Sequence, residues 1–144
     1  MVIFTFGREH ERKCEARYVR NPAQVPLILA VVDAVHDLIE GQASESDLRS
    51  VLREAFIEGG SGVWENAEKW LRKCSSDYPG LLDLWVEFAA NSKLEVRFRV
   101  ACVLDRVPKN IFDSLSVQLS NDKSRKVSSM ARARIEDVCS RNAT

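Results

Sequence analysis

The stretch that decides the fold is residues 81–107, LLDLWVEFAANSKLEVRFRVACVLDRV. Its apolar side chains recur every three or four residues on both sides of a turn at 91–92, which is the period of two amphipathic helices. Sliding the chain by 30 residues places Leu81-Leu82-Asp83 on Ile111-Phe112-Asp113, so the helical hairpin repeats. A single hairpin cannot bury its own apolar faces, and repeated hairpins are therefore expected to stack.

The helical period continues through the rest of the chain, with further helices predicted to begin near residues 9, 24, 44, 61, 77, 93, 108 and 123. The sixth of these is expected to run to residue 107. Segment 24–40 is apolar on two faces, which indicates a central helix contacted from both sides. Ser44 and Asp47 have the spacing of a capping box. Met1–Phe6 is ambiguous between strand, helix and disorder.

The predicted fold class is all-α, as a short right-handed solenoid of three to four antiparallel helical hairpins in a single domain, 1–144. Residues 1–43 form N-terminal helices, and residues 44–141 form three hairpin repeats. The hairpin resembles a HEAT repeat over about 77–141, in its apolar spacing, its turn at Asn91-Ser92 and its Val96-Arg97 pair. This resemblance implies a HEAT/armadillo-like interaction surface, which binds nucleic acid in a few lineages.

The charge is balanced in total but uneven along the chain. Lysine plus arginine number 21, as do aspartate plus glutamate, which argues against both a generic polycation and an acidic disordered tail. Residues 21–92 carry 5 basic and 12 acidic side chains, whereas residues 93–144 carry 11 basic and 6 acidic ones. This split predicts a surface that grades from acidic to basic along the hairpins, as is common at partner sites of solenoids.

Catalytic chemistry is not indicated, and no enzyme activity, cofactor or metal site is expected. His36 is interpreted as a boundary histidine bonded to its neighbours rather than as a general base. The four cysteines form no CxxC pair, and Cys74 and Cys102 fall close to core positions, so inert, reduced thiols are predicted. No apolar run approaches the roughly 18 residues of a membrane span, and a cytoplasmic protein without membrane contact is expected.

These observations favour a protein–protein interaction module, and one specific form is an immunity protein that neutralises a bacterial toxin. The alternative is a nucleic-acid-binding helical repeat protein that uses the basic C-terminal third. Trp64 is left open between a core residue and an exposed binding anchor. The predicted protein-binding residues are Asp33, Asp37, Glu40, Glu54, Glu58, Trp64, Glu65, Lys69, Arg72, Glu95 and Arg99, and the acidic surface extends to Glu45 and Asp47. The predicted nucleic-acid-binding residues are Arg106, Lys123, Arg125, Lys126, Arg132 and Arg134, with Arg97 and Arg99 as further candidates.

Overall fold

A computed structural model describes residues 7–143, and within that range it contains eight α-helices and no strand. This confirms the predicted all-α class, while the solenoid stays a prediction and Met1–Phe6 lies outside the described residues. Short 3₁₀ turns precede α2 and α5 and follow α6. The helices are α1 (Arg8–Tyr18), α2 (Val25–Ile39), α3 (Glu45–Glu58), α4 (Trp64–Ser75), α5 (Leu82–Ala89), α6 (Leu94–Cys102), α7 (Lys109–Ser120) and α8 (Arg125–Asn142).

Three predicted helix boundaries are wrong. The fifth helix begins at Leu82 rather than near residue 77, because a 3₁₀ turn over Pro79–Leu81 precedes it. The fourth helix begins at Trp64, later than predicted, because Gly62 has a φ of 86° and cannot belong to a right-handed helix. The sixth helix ends at Cys102, earlier than predicted, because Val103 leaves the helical conformation and a 3₁₀ turn follows over Leu104–Arg106. The apolar period correctly predicted that Leu104 is buried. It wrongly predicted that the helix continues to that residue.

The structure divides into two compact units, one ending at Leu81 and one beginning at Leu82. In the first unit, α2 packs against α1, α3 and α4, in agreement with its two apolar faces. Ser44 and Asp47 form the predicted capping box at the start of α3. The core of the unit consists of fully buried side chains that include Ile28, Val32, Leu52, Phe56 and Trp70.

The segment Pro22–Ile39, which contains α2, is the one part of the described chain that is long and apolar enough to cross a membrane. The expectation that no apolar run approaches this length was therefore wrong. That test concerns length and composition only, and a third of the segment is buried inside the structure. Ile28, Val31, Val32 and Val35 are among its buried side chains and belong to the core of the first unit.

In the second unit, α5 and α6 form one helical hairpin and α7 and α8 form the next. The first helices of the two hairpins, α5 and α7, pack together, and so do the second helices, α6 and α8. Residues 30 positions apart occupy equivalent buried positions, as Trp85 and Leu115 do in the first helices and Ala101 and Ala131 in the second. These two hairpins therefore stack side by side, in the register that the sequence repeat predicts.

A buried ion pair joins the two hairpins of the second unit. Arg97 Nε and Nη2 donate to the two carboxylate oxygens of Asp122 at 2.8 and 3.2 Å, and Arg97 Nη1 donates to the carbonyl oxygens of Asn91 and Ser92. Burial raises the pKa of Asp122, but the hydrogen bonds from Arg97 and from the Ser124 amide outweigh it and hold the pKa below its ordinary value. Arg97 is thus committed inside the fold rather than presented to a phosphate.

Candidate interaction surfaces

The predicted acidic residues of α2 are paired with arginines of α1. Arg8 Nη2 lies 2.6 Å from Asp37 Oδ1 and 3.3 Å from Glu40 Oε2, and Arg12 forms a short ion pair with Asp33. Asp33 and Asp37 lie on α2, Glu40 is its C-cap residue, and α1 packs against α2 with its basic side chains near all three. We refer to Asp33, Asp37 and Glu40 as the α2 acidic group. The two arginines offset only part of the three negative charges, and the Glu40 side chain stays 56% exposed, so the interpretation of this group as an open acidic surface needs partial correction.

A second acidic set lies on α3 and remains exposed. Glu54 and Glu58 are one turn apart, and Asp47 lies two turns before Glu54, so all three lie on one face of the helix. Hydrogen bonds from the backbone amide and the hydroxyl of Ser44 lower the pKa of Asp47, which keeps its carboxylate charged. Glu54 makes no ion pair with any other residue in 7–143. We call Asp47, Glu54 and Glu58 the α3 acidic stripe.

At the start of α4, Trp64 and Glu65 have mainly structural contacts. The Trp64 ring is half-buried and meets the Phe56 ring edge-on, with ring centroids 6.0 Å apart. Glu65 Oε2 accepts a hydrogen bond from the Gly62 amide at 3.0 Å. Trp64 therefore packs against the core of the first unit, and only part of its surface is accessible to a partner.

Farther along α4, two predicted contact residues hold buried carboxylates that sequence reasoning missed. Lys69 forms a short ion pair with Glu15 of α1, and Arg72 Nε donates to Glu68 Oε1 at 3.0 Å. Glu15 and Glu68 are each only 1% exposed. Buried carboxylates need a charged partner, and the spacing of Glu68 and Arg72, four residues apart, was the signal available for one of the pairs. Lys69 and Arg72 are therefore partly committed inside the first unit.

In the second unit, Glu95 and Lys126 form an ion pair with each other. Glu95 was predicted to bind protein and Lys126 to bind nucleic acid, so each charge is offset by the other. Lys126 Nζ lies 3.1 Å from Glu95 Oε1 and also 4.2 Å from the centroid of the Phe98 ring. Both charged side chains are at least half exposed, so the pair adds little stability. Arg99, on the same helix as Glu95, is half-buried and has contacts of its own.

The basic set predicted for nucleic acid is partly occupied by contacts within the second unit. Arg132 Nη2 donates to the Ser120 carbonyl at 3.0 Å, and Arg134 Nε donates to the Cys102 carbonyl at 2.9 Å. Arg106, Lys123 and Arg125 are exposed. Five of the six predicted cations are exposed, but Arg106, Lys126 and Arg132 each contact another residue of the same unit.

His36, Cys74 and Cys102 lie in environments where burial shifts the pKa of each side chain. Burial and the nearby Arg8 guanidinium both lower the pKa of His36, which is almost fully buried rather than at the boundary predicted. Burial raises the pKa of Cys74 to about 12 and also raises that of Cys102. Residues 7–143 contain no cluster of three or more His, Cys, Asp or Glu side chains that could hold a metal ion. No protein-family model, curated protein or solved structure matches the chain.

Proposed function

We propose that this chain is a protein-binding module whose partner presents basic side chains to the α3 acidic stripe. The observation that carries the proposal is the contrast between two acidic sets of the first unit. The α2 acidic group is ion-paired with arginines of α1, whereas Glu54 on α3 is exposed without an ion-pair partner among the described residues. An acidic side chain that stays solvated, as that of Glu54 does, is available to an incoming protein.

Electrostatic complementarity explains what such a stripe would do. Charges of opposite sign speed the encounter and fix the register of two proteins, while buried apolar contacts supply most of the affinity. The exposed part of Trp64, in the same unit, is a candidate for such an apolar contact. The specific form that we propose is a toxin-neutralising immunity protein, in which the acidic stripe covers the basic active site of a nuclease. Its small size and the acidic excess of residues 21–92 support this form.

The test is capture of the partner from the source organism, followed by binding measurements with two charge-reversal variants. The stripe variant is Glu54→Lys with Glu58→Lys. The matched control is Asp83→Lys with Glu136→Lys, which changes the net charge equally at two exposed positions of the second unit. We expect the stripe variant to bind about 10- to 100-fold more weakly, mainly through slower association at low salt, and the control to bind nearly as wild type.

Equal loss in the two variants would show that only total charge matters, and no loss in either would remove the stripe as a contact. For the immunity form, the captured protein should be toxic when produced alone and harmless when produced together with this chain. A captured partner without toxicity would leave the binding module standing and refute that form.

The alternative function, nucleic-acid binding, would rest on Arg106, Lys123 and Arg125, three of the predicted cations that remain exposed. Phosphate contacts release counterions, so affinity for single- or double-stranded nucleic acid should fall steeply as salt rises. With about three phosphate contacts, a fourfold rise in salt should weaken binding to duplex DNA by about 40-fold. No binding at low salt would exclude this alternative.

A further inference from the structure

The second unit contains a groove of about 510 Å³ where its last 3₁₀ turn, the start of α7 and the end of α8 meet. That volume is within the usual range for small-molecule sites. None of the residues that line it belongs to the α3 acidic stripe, so the inference below is independent of the proposed function.

Three cations and two carboxylates line this groove. The cations are Arg106, Lys109 and Arg141, and the carboxylates are Asp105 and Asp113, which leaves one positive charge in excess. Arg141 Nη2 lies 3.0 Å from Asp105 Oδ2, and Arg106 Nε lies 3.9 Å from Asp105 Oδ1. The Asp105 side chain is largely buried and lies against both guanidinium groups.

The same two arginines still have donors to offer. The Arg106 side chain is 52% exposed and that of Arg141 is 62% exposed, so both guanidinium groups are accessible to a ligand in the groove. Lys109 is exposed, without an ion-pair partner among the described residues, at the first position of α7. This arrangement provides several N–H donors around one excess positive charge, as recognition of a planar anion requires.

Apart from the polar Asn142, the remaining wall of the groove is apolar. Val107 is buried, and Phe112 and Val138 are half-buried, so parts of their side chains line the groove. A small hydrated ion would leave these surfaces unused, whereas a ligand with an apolar body would remove them from water.

We propose that this groove binds a small monoanionic carboxylate with a compact apolar body, such as an aromatic ring. The carboxylate pairs with Arg106, Lys109 and Arg141, and the ring rests on Phe112 and its apolar neighbours. A monoanion matches the single excess charge. A dianion would meet repulsion from Asp105 and Asp113, and an ammonium group would meet the three cations.

The test is a titration of the intact ¹⁵N-labelled chain followed by amide chemical shifts, with benzoate as the probe. Phenyl phosphate, benzylamine and acetate serve as comparison ligands. We expect saturable shifts around Arg106, Lys109 and Phe112 at about millimolar benzoate. Acetate, which lacks the ring, should bind at least about tenfold more weakly than benzoate. Phenyl phosphate should also bind more weakly than benzoate at neutral pH.

Variants separate a specific site from general charge effects. Lys109→Gln and the pair Arg106→Gln with Lys109→Gln should weaken benzoate binding, by about tenfold for the pair, while Arg125→Gln on α8 should leave it unchanged. The single variant changes an exposed side chain and tests the idea even if the double variant does not fold. The proposal is overturned if benzoate gives no saturable shifts, if acetate binds equally well, or if Arg125→Gln weakens binding as much as Lys109→Gln.

Discussion

Replacing Arg97 by methionine should destabilise the second unit more than any exposed substitution. The change keeps an apolar stem of similar length but removes the guanidinium, which donates four hydrogen bonds. Asp122, whose side chain is only 8% exposed, would lose both of its bonds to Arg97 and remain as a buried charge. The carbonyl oxygens of Asn91 and Ser92 would lose a donor as well.

The magnitude follows from the burial of this pair. Removing one member of a buried ion pair costs about 3–5 kcal/mol, because the other charge is left without compensation. Asp122 keeps its hydrogen bond from the Ser124 amide, which places the expected loss near the lower end, at about 3 kcal/mol. Asp122→Asn should lower the free energy of unfolding by less than Arg97→Met does. A double-mutant cycle that combines the two changes should give a coupling energy of about 1–3 kcal/mol.

Urea unfolding followed by circular dichroism measures these losses, with Arg125→Met as the matched control. Arg125 is an exposed arginine of the same unit, and its replacement should change the free energy of unfolding by about 0.5 kcal/mol or less. A loss below about 1 kcal/mol for Arg97→Met, or a coupling energy near zero, would refute the buried ion pair as a source of stability.

The same pair predicts a pH dependence of stability. Because the pKa of Asp122 is lowered in the folded state, its contribution is present above the ordinary carboxyl pKa and is lost as pH falls through the folded value. Without Arg97, only the Ser124 hydrogen bond and the Lys123 charge would oppose burial, so the pKa of Asp122 would lie higher than in the wild type. The difference in stability between wild type and Arg97→Met should therefore be largest near neutral pH and shrink below about pH 5. A difference that stays constant down to acidic pH would contradict this assignment.

Three further predictions concern the thiols, the turns and α1. Cys139, which is exposed, should react with a thiol reagent in the native protein, whereas Cys74, with a pKa of about 12, should react only in denaturant; equal rates would contradict its burial. Gly62→Ala should lower the free energy of unfolding by about 3 kcal/mol or more, because φ is positive there and a Cβ would overlap the last carbonyl of α1. Gly41 also has a positive φ but open space around it, so Gly41→Ala should lower that free energy by about 1–2 kcal/mol, as measured by thermal unfolding. Arg12→Gln should lose about 0.5–1 kcal/mol at low salt and much less at high salt, since it removes a partly exposed ion pair to α2; a salt-independent loss would argue for packing instead.

The helices could be predicted from the sequence because apolar spacing reports burial directly. The capping box at Ser44, the central position of α2 and the equivalence of Trp85 with Leu115 all follow from local patterns that the structure reproduces. The early end of α6 could not be predicted, because Leu104 is buried in a 3₁₀ turn as completely as it would be in a helix. Periodicity identifies which side chains are inside and is less informative about the backbone that carries them there.

The candidate site was harder to predict because formal charge does not tell which charges remain open. Asp33 and Glu54 look alike in sequence, both acidic residues on the polar face of an amphipathic helix. The difference between them is a long-range contact, since Arg12 lies 21 residues before Asp33 and reaches it only in the folded unit. No local pattern around Asp33 contains that information.

The attachment of α1 sharpens this distinction. Among its side chains only Glu15 is buried, so α1 contributes no fully buried apolar side chain to the core. Its arginines form ion pairs with the α2 acidic group, and Glu15 forms an ion pair with Lys69 of α4. The acidic excess of residues 21–92 is therefore divided: part of it pairs with a helix of the same chain, and the part on α3 stays exposed, where we propose that another protein binds. Because α1 already uses basic side chains against an acidic helix, it illustrates within the fold the kind of contact that we propose for the partner.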